Sequence, residues 1–395
     1  IRTPREDFHS CLLNAALQFY YRPDATHGYL LAGYPWFGVR ARDLFIALPG
    51  CTIYADAPER FYRIMDTVLP DMRAFMRQEG ISKEIRNINE GDIGLWAIWT
   101  LQEYARWSSL PDMVSRYGDF LDELIHYYLR NVHPNLRIDD NGLCVMTGDG
   151  RPLSWMDAKV NGQAVVRREG YLVEVNALWY NALCFYREAL PQKWTPELEE
   201  LLGRVQQSFC DTFINQHGYL FDYVQPHSSW RDWSVRPNMV FATSLPYSPL
   251  PKATRRSVLE IITRELRTPK GLRSLSPKSD GYQPQCHGTQ WQREQSYYNG
   301  SVWPWLLGPY FEACIKLYGR SAISFIENTL IGMEEELQQH GVGTVSELFD
   351  GNPPFKGRGA ISFAMSVGEL LRSLALLEEA KSKYDTQILP IIRYE

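Results

Sequence analysis

The sequence has 395 residues, which is long enough to bury a sizeable core in one large domain or in two ordinary ones. Hydrophobic residues make up 45% and charged residues 22%, an ordinary globular composition that argues against disorder. The 41 basic and 46 acidic side chains give a net charge of -5 without a long basic tract, which argues against nucleic acid or an anionic membrane as a partner.

Helical periodicity recurs along the whole chain. In the segment 111–130, apolar residues step by three and four, for example at Tyr117, Leu121 and Leu124, as on one face of an amphipathic helix. This pattern and the helix-forming composition predict about twelve helices. Their predicted ranges are 5–21, 41–49, 61–76, 91–106, 111–130, 171–189, 196–214, 237–244, 258–266, 300–318, 323–337 and 360–380.

Strand signals are few, and the best are the short stretches GLCVMT at 142–147 and GYLFDYV at 218–224. Long loops rich in Gly, Pro, Asn and Asp separate the helices at 131–170, 215–236, 267–299 and 341–359. Loops longer than about 15 residues are uncommon unless they have a function or are disordered. The tryptophans in these loops argue against disorder, so we expect the loops to have a function.

Helices that alternate with long loops fit a single all-α domain over residues 1–395, built as an (α/α)6 toroid of six helical hairpins. The inner helices would form a barrel, and the loops at one end would build a concave site. A helical bundle or a superhelical solenoid fits the periodicity equally well. The chain starts at Ile1 rather than Met, which is typical of a fragment or a processed piece of a longer protein.

The seven cysteines are scattered, odd in number and never in a C-x-x-C pattern. This distribution argues against a disulfide framework or a zinc site and indicates a reducing compartment, so we expect a cytoplasmic protein. No apolar run reaches the roughly 18 residues of a membrane span. Because the P-loop, H-E-x-x-H, G-x-S-x-G and Rossmann patterns are also missing, we expect neither a metal nor a cofactor.

Four stretches place acidic residues beside aromatic residues in loops or at predicted helix starts: RARDLF, NEGDIGLW, SWMDAKVNG and VSELFDGNPPF. Taken alone, each acid is explained as a helix cap or a solvated loop carboxylate. In a toroid, however, all four stretches would lie on one rim. Two carboxyls that flank a bond are the usual requirement of glycoside hydrolysis, although the spacing does not identify which two.

Two of these acids have surroundings that suit opposite tasks. Asp157 follows Trp155 and Met156, whose apolar surface favours a protonated carboxyl and hence a proton donor. Lys159 would instead favour the ionised form if it pointed at Asp157, and the sequence does not decide between the two effects. Glu347 lies in a Gly-flanked loop between two helices, where it could activate water as a general base.

Six motifs then occur in a recognisable order: YPWFGVRARDLFIALPG, SWMDAKVNG, VEVNALWYNAL, RPNMVFATSLPYS, YYNGSVWPWLLGPY and SELFDGNPPFKGRGAISFAMSVGELLR. From about residue 7 to residue 380, the chain resembles the C-terminal amylo-α-1,6-glucosidase domain of glycogen debranching enzymes. The resemblance implies an (α/α)6 toroid related to glucoamylases that acts by inversion. It implies release of glucose from α-1,6-glucosyl stubs of an α-glucan such as glycogen, limit dextrin or a malto-oligosaccharide.

The same resemblance implies roles for particular residues. Asp157 stands at the general acid of the WMD motif, and Glu347 stands at the general base of the SE motif. Arg42 and Asp43 look like the Arg-Asp pair that holds the hydroxyls of the non-reducing glucose in glucoamylase-like enzymes. The other substrate-binding residues expected are Trp36, Phe37, Asp92, Trp155, Lys159, Asn176, Trp179 and Trp303.

Three motifs depart from the family pattern. The usual FGRD is here FGVRARD, YHNGTVWPW is here YYNGSVWPW with Tyr298 in place of His, and GKPVEINALW is here GYLVEVNALW. These differences leave the substrate and the linkage open. One alternative is another six-hairpin-toroid glycosidase that acts on a different α-glucoside or oligosaccharide. The other is a non-catalytic glycan-binding protein, which would need neither Asp157 nor Glu347.

Overall fold

A computed structural model describes residues 6–385, and most of this part of the chain is helical. The α-helices are α1 (Phe8–Phe19), α2 (Ala41–Cys51), α3 (Pro58–Met76), α4 (Ile93–Trp107), α5 (Leu110–Leu129), α6 (Val173–Ala189), α7 (Pro196–Phe213), α8 (Phe241–Ser244), α9 (Lys252–Glu265), α10 (Gln290–Tyr297), α11 (Leu307–Tyr318), α12 (Ile323–Met333) and α13 (Ala364–Asp385). The short α8 continues a 3-10 turn at Pro237–Val240, so the two together form one helical segment.

Six of these helices form a closed inner ring. Around the ring, α2 contacts α4, α4 contacts α6, α6 contacts α8, α8 contacts α11, α11 contacts α13, and α13 returns to α2. An inner helix has neighbours on all sides, and every residue of α2 is accordingly buried. The ring therefore provides the core of the fold.

The other long helices pack around the outside of this ring. Helix α1 contacts α13 and α2, α5 contacts α4 and α6, α7 contacts α6, α9 contacts α8 and α11, and α12 contacts α13. These helices bury one face only. On α5, for example, Met113, Tyr117, Leu121 and Leu124 are buried at the predicted spacing. Outer and inner helices alternate along the chain, which confirms the predicted toroid of six hairpins.

Short strands connect the helices. They are β1 (Tyr20–Tyr21), β2 (Tyr29–Leu30), β3 (Gly33–Tyr34), β4 (Leu136–Ile138), β5 (Cys144–Met146), β6 (Lys159–Val160), β7 (Gln163–Ala164), β8 (Tyr171–Leu172), β9 (Tyr223–Val224), β10 (Arg267–Thr268), β11 (Gly271–Arg273), β12 (Val302–Trp303), β13 (Leu348–Phe349), β14 (Gly357–Arg358) and β15 (Ser362–Phe363). Strands β10 to β14 form one antiparallel sheet in chain order, and the others pair as β1–β2, β3–β15, β4–β5, β6–β7 and β8–β9.

These strands gather the segments that precede the inner helices at one end of the ring. Strand β3, before α2, pairs with β15, before α13, and strand β12, before α11, pairs with β13. The predicted strand 142–147 is β5, whereas only the end of the predicted strand 218–224 is β9. The predicted loop 267–299 contains α10, which a capping box between Thr289 and Gln292 begins.

Candidate active site

A cavity of ≈ 890 Å³ opens at the end of the ring where these segments meet. Its wall comes from loops before α2, α4 and α6, from α10, and from the loop before α13. Its lining residues include Trp36, Phe37, Arg40, Arg86, Glu90, Arg151, Asp157, Lys159, Glu294, Tyr297, Tyr298 and Glu347. Polar, charged and aromatic groups thus surround a space large enough for more than one sugar ring.

Asp157 lies on this wall, in the loop between β5 and β6, and each of its carboxylate oxygens accepts a hydrogen bond. The hydroxyl of Tyr298 donates to Oδ1 over 2.8 Å. The guanidinium of Arg40 donates to Oδ2 in a short ion pair. Lys159, the cation considered from the sequence, lines the cavity on β6 but is exposed and makes no ion pair within residues 6–385.

Glu347 faces the same cavity from the position immediately before β13, and its side chain is almost completely buried. Its carboxylate accepts a hydrogen bond of 2.8 Å from the backbone N–H of Ala360, and its own N–H donates to the carbonyl of Ala360 over 2.9 Å. Burial raises the pKa of Glu347 to about 8, against the opposing effects of the Ala360 hydrogen bond and of Arg40. The structure thus brings Asp157 and Glu347, which are far apart in sequence, to one cavity.

A small pocket of ≈ 20 Å³ adjoins the cavity and shares Asp157 and Glu347 with it. Asp43 lines this pocket and forms an ion pair of 3.3 Å with Nε of Arg40. Burial raises the pKa of Asp43, and the nearby Arg40 opposes this effect. The pocket has room for about one water molecule beside Glu347.

Arg42 and Asp92, which the sequence assigns to substrate binding, pair with each other instead of lining the cavity. Arg42 reaches only the small pocket, and its guanidinium donates to both oxygens of Asp92 and to Glu90. Trp96 Nε1 donates a further hydrogen bond of 3.1 Å to Asp92. Arg42 and Asp92 are buried and paired with each other, so of the two arginines in the RARD motif it is Arg40 that lines the cavity.

The structure also places Asn176 and Trp179 away from the cavity. Both are fully buried on α6. The amide of Asn176 bonds to the backbone of Cys144 on β5, and the indole of Trp179 donates to the carbonyl of Gly142. These side chains hold the β4–β5 hairpin onto the inner ring, because they satisfy backbone groups of that hairpin.

The remaining aromatic residues occupy two levels. Trp36 is 60% exposed at the mouth of the cavity, and the ring of Phe37 lies 5.3 Å beneath the guanidinium of Arg40. Trp155 and Trp303 are buried and line the small pocket. The mouth therefore offers aromatic surface to a ligand, while the buried tryptophans support the wall.

Sequence reasoning missed several residues of the site. Arg40 stood in the RARD motif, but the resemblance directed attention to Arg42. Tyr298 was noticed only as a departure from the usual His. Glu294 on α10 is a fourth carboxyl of the cavity, besides Asp157, Glu347 and Glu90, and burial, followed by the charge of Asp157, raises its pKa. The signal that could have found it is the capping box of α10, which marks a helix inside the predicted loop.

The described part of the chain shows no metal-type cluster. Between residues 6 and 385, no three His, Cys, Asp or Glu side chains are grouped so that they could hold a metal ion. None of the helices in this range combines the length and the apolar character that crossing a bilayer requires.

The fold and the carboxyl-lined cavity define a helical-toroid glycoside hydrolase, and the comparison with known families agrees. The family described as amylo-α-1,6-glucosidase matches residues 14–372, and the chain belongs to this family. The resemblance seen in the motifs is thereby confirmed. No curated protein shows significant similarity to the sequence.

Several solved structures share the fold. A GH63 mannosylglycerate hydrolase from Thermus thermophilus, in complex with Tris, is 13% identical, with a TM-score of 0.63 over 92% of this chain and 99% of that chain. A glycosidase variant in complex with glucose is 14% identical, with a TM-score of 0.60 over 94% of this chain and 97% of that chain. The Thermus enzyme is also known in complex with Tris and D-glycerate, at 12% identity and a TM-score of 0.63 over 93% and 100% of the two chains.

Proposed function

We propose that the protein is an exo-acting α-glucosidase that removes single glucosyl units by inversion, with Asp157 as general acid and Glu347 as general base. The observation that carries this proposal is that two carboxyls distant in sequence line one cavity in different environments. Asp157 is held by donors on both oxygens, whereas Glu347 is buried beside a pocket that has room for a water molecule. Two carboxyls in unlike environments are what inverting glycoside hydrolysis uses.

The proposed step is a single displacement at the anomeric carbon. The carboxyl of Asp157 gives its proton to the glycosidic oxygen as the bond from this oxygen to the anomeric carbon breaks. Glu347 takes a proton from a water molecule, whose oxygen forms the new bond to the same carbon from the opposite face. Asp157 ends ionised and Glu347 ends protonated, and exchange with solvent restores both. The products are β-glucose and the free hydroxyl of the aglycone.

For the substrate, we propose α-1,6-glucosyl stubs of glycogen or limit dextrin. The family description supports this choice, as does the glucose bound to a structural neighbour. The exposed Trp36 at the mouth could stack on a further sugar of the glucan chain. A cytoplasmic location suits a glycogen-degrading enzyme, and the seven cysteines form no disulfide within residues 6–385, as a reducing compartment favours.

Glucose release from a panel of substrates tests this proposal. The panel contains limit dextrin with single α-1,6-glucosyl stubs, panose, isomaltose and maltose, with the Asp157→Asn variant as a control for background. We expect glucose as the only small product and β-glucose as the first anomer seen by proton NMR. Early release of maltose would contradict exo action, and early α-glucose would contradict inversion. Binding of the dextrin without release of glucose would favour a non-catalytic glycan-binding protein.

A second candidate substrate is an α-glycoside whose aglycone carries a negative charge. Arg86, Arg151 and Lys159 are exposed on the cavity wall, and none of them pairs with a carboxylate within residues 6–385. Arg151 donates from Nε only to the carbonyl of Gly148, over 3.1 Å. Unpaired cations at the mouth favour an anionic group there. A structural neighbour is a mannosylglycerate hydrolase, which gives this alternative a precedent on the same fold.

The two candidates differ in their response to charge. The test compares kcat/KM for α-glucosylglycerate with kcat/KM for isomaltose, in the wild-type enzyme and in Arg86→Gln. The control variant is Arg77→Gln, because Arg77 is exposed and lies outside the cavity. An anion-binding mouth predicts that glucosylglycerate is preferred and that Arg86→Gln lowers its kcat/KM by about tenfold, the loss of one charge-assisted contact. A preference for isomaltose that Arg86→Gln does not change would favour the glucan.

A further inference from the structure

Tyr298 contacts Asp157, the carboxyl that is proposed as general acid. It follows α10 directly, and its hydroxyl donates to Oδ1 of Asp157 over 2.8 Å. The hydroxyl lies on the cavity wall, whereas the ring is buried. A side chain that touches one oxygen of a reacting carboxyl can determine where this carboxyl points.

The ring of Tyr298 is fixed in two directions by tryptophans. It stacks on Trp303 with the ring centroids 5.1 Å apart and the planes at 3°, and it meets Trp155 edge-on at 5.3 Å and 89°. The backbone carbonyl of Tyr298 accepts a hydrogen bond from the buried Arg236. Because the ring cannot turn without displacing these neighbours, the hydroxyl has one place from which to donate.

The hydroxyl also keeps its proton. Burial, followed by the negative charge of Asp157, raises the pKa of Tyr298 far above its ordinary value. A phenol that does not ionise is always available as a donor to the carboxylate.

Arg40, the donor to the other oxygen, has a second carboxylate as a partner. Its guanidinium lies on the cavity wall, and its Nε already contacts a second carboxylate, that of Asp43, at 3.3 Å. While Arg40 donates to Oδ2, a proton on the side of Oδ2 that faces Arg40 would meet another donor, so Arg40 must leave this oxygen before Asp157 can act as the general acid there. Of the two side chains that donate to Asp157, Arg40 is the one that also contacts a second carboxylate, that of Asp43.

We infer that Tyr298 is a positioning residue that holds Oδ1 of Asp157. The other oxygen, Oδ2, then gives its proton to the leaving group once Arg40 has turned from Asp157 to Asp43. This inference rests on the proposed role of Asp157 as general acid. It assigns a task to the tyrosine that replaces the usual histidine of the motif. It also gives the two donors different parts, because Tyr298 keeps its contact with Asp157 whereas Arg40 exchanges Asp157 for Asp43.

Removing the hydroxyl alone tests the inference. Tyr298→Phe keeps the stack on Trp303, and Tyr310→Phe removes a buried hydroxyl that bonds to Thr263 outside the cavity, so it is the matched control. We expect Tyr298→Phe to lower kcat on isomaltose by about 10- to 100-fold with little change in KM, because the acid is misplaced while binding is kept. On α-glucosyl fluoride, whose leaving group needs little protonation, we expect a loss below about threefold.

The pattern of losses separates positioning from a general effect on the fold. Equal losses on isomaltose and on the fluoride, or wild-type kcat on isomaltose, would overturn the inference. Tyr298→His restores an N–H donor and should recover most of the lost rate on isomaltose, whereas equal rates for the His and Phe variants would count against it. If the Phe variant does not fold, Tyr298→Met removes the donor with a different packing, and the same difference between substrates is expected.

A crystal structure of the Tyr298→Phe variant gives a readout that does not depend on turnover. We expect the carboxylate of Asp157 to leave the position it holds in the wild-type protein, and an unmoved carboxylate would overturn the inference. If Asp157 moves but the wild-type enzyme releases no glucose from isomaltose or the fluoride, the proposed function fails and the positioning contact stands.

Discussion

Arg42 donates from Nε and Nη2 to the two carboxylate oxygens of Asp92, at 2.8 and 2.7 Å. Both residues are buried, and they join the first turn of α2 to the residue that precedes α4. The pair therefore fixes two adjacent inner helices at the end of the ring that carries the cavity. From this position Arg42 lines the small pocket, whereas Arg40 lines both this pocket and the cavity.

Removal of Arg42 should destabilise the protein. Arg42→Met leaves Asp92 buried without its partner, and breaking a buried ion pair in this way costs about 3–5 kcal/mol. Urea unfolding measures the change. The control is Arg204→Met, which removes an exposed ion pair with Glu200 and should cost at most about 1 kcal/mol. An equal effect of the two substitutions would show that the Arg42–Asp92 pair contributes little.

The roles of the two carboxyls can be separated by the leaving group. Asp157→Asn and Glu347→Gln should each lower kcat on isomaltose by at least about a hundredfold. On α-glucosyl fluoride, the variant without the general acid should recover much of its rate, because fluoride leaves with little help from an acid. The variant without the general base should stay slow, since water must still be activated.

This experiment also tests the reverse assignment. Burial raises the pKa of Glu347 to about 8, which by itself favours a proton on Glu347, while Asp157 is paired with Arg40. If Glu347 were the acid, the fluoride would rescue Glu347→Gln and not Asp157→Asn. Rescue of neither variant would mean that both carboxyls act on the water or the sugar rather than on the leaving group.

The helical architecture could be predicted because it follows from local patterns of apolar residues in the sequence. The helices of the six hairpins follow from apolar residues spaced by three and four, and α5 shows the predicted buried face. The sheet β10 to β14 was missed, because strands of two or three residues are too short to show alternation. This sheet matters for the site, since β13 begins immediately after Glu347.

The residues of the site were harder to predict than the helices. Arg40 precedes α2 with an extended backbone and Arg42 lies in the first turn of the helix, so their side chains leave the chain in different directions, and only Arg40 of the two lines the cavity. The sequence does not say which one does, because the rotation of α2 depends on packing against α4 and α13. The high pKa of Glu347 was equally hidden, since burial arises from segments distant in sequence.

Activity should depend on pH through Glu347. Because burial raises its pKa to about 8, a base at this position is mostly protonated at neutral pH. We expect kcat/KM to rise by about tenfold per pH unit on approaching pH 8 from below. The residual activity of Glu347→Gln should lack this rise. A kcat/KM that falls through the same range would indicate that Glu347 works in its protonated form.

The same carboxyl should make the stability of the protein depend on pH. The pKa of Glu347 is about 8 in the folded state, against 4.5 for an ordinary glutamate. Because the folded state binds this proton more tightly than the unfolded state, the resulting stabilisation is complete below pH 4.5 and is lost as the pH rises to about 8. Gln does not titrate. The free energy of unfolding of Glu347→Gln, relative to that of the wild type, should therefore increase with pH across this window and stay constant above it.

Urea unfolding at several pH values measures this increase, with Glu260→Gln at an exposed position of α9 as the control. If the free energies of unfolding of Glu347→Gln and the wild type change with pH in parallel, Glu347 keeps an ordinary pKa in the folded protein. The expected divergence would show that the enzyme loses stability at high pH because it keeps a buried base in its active site.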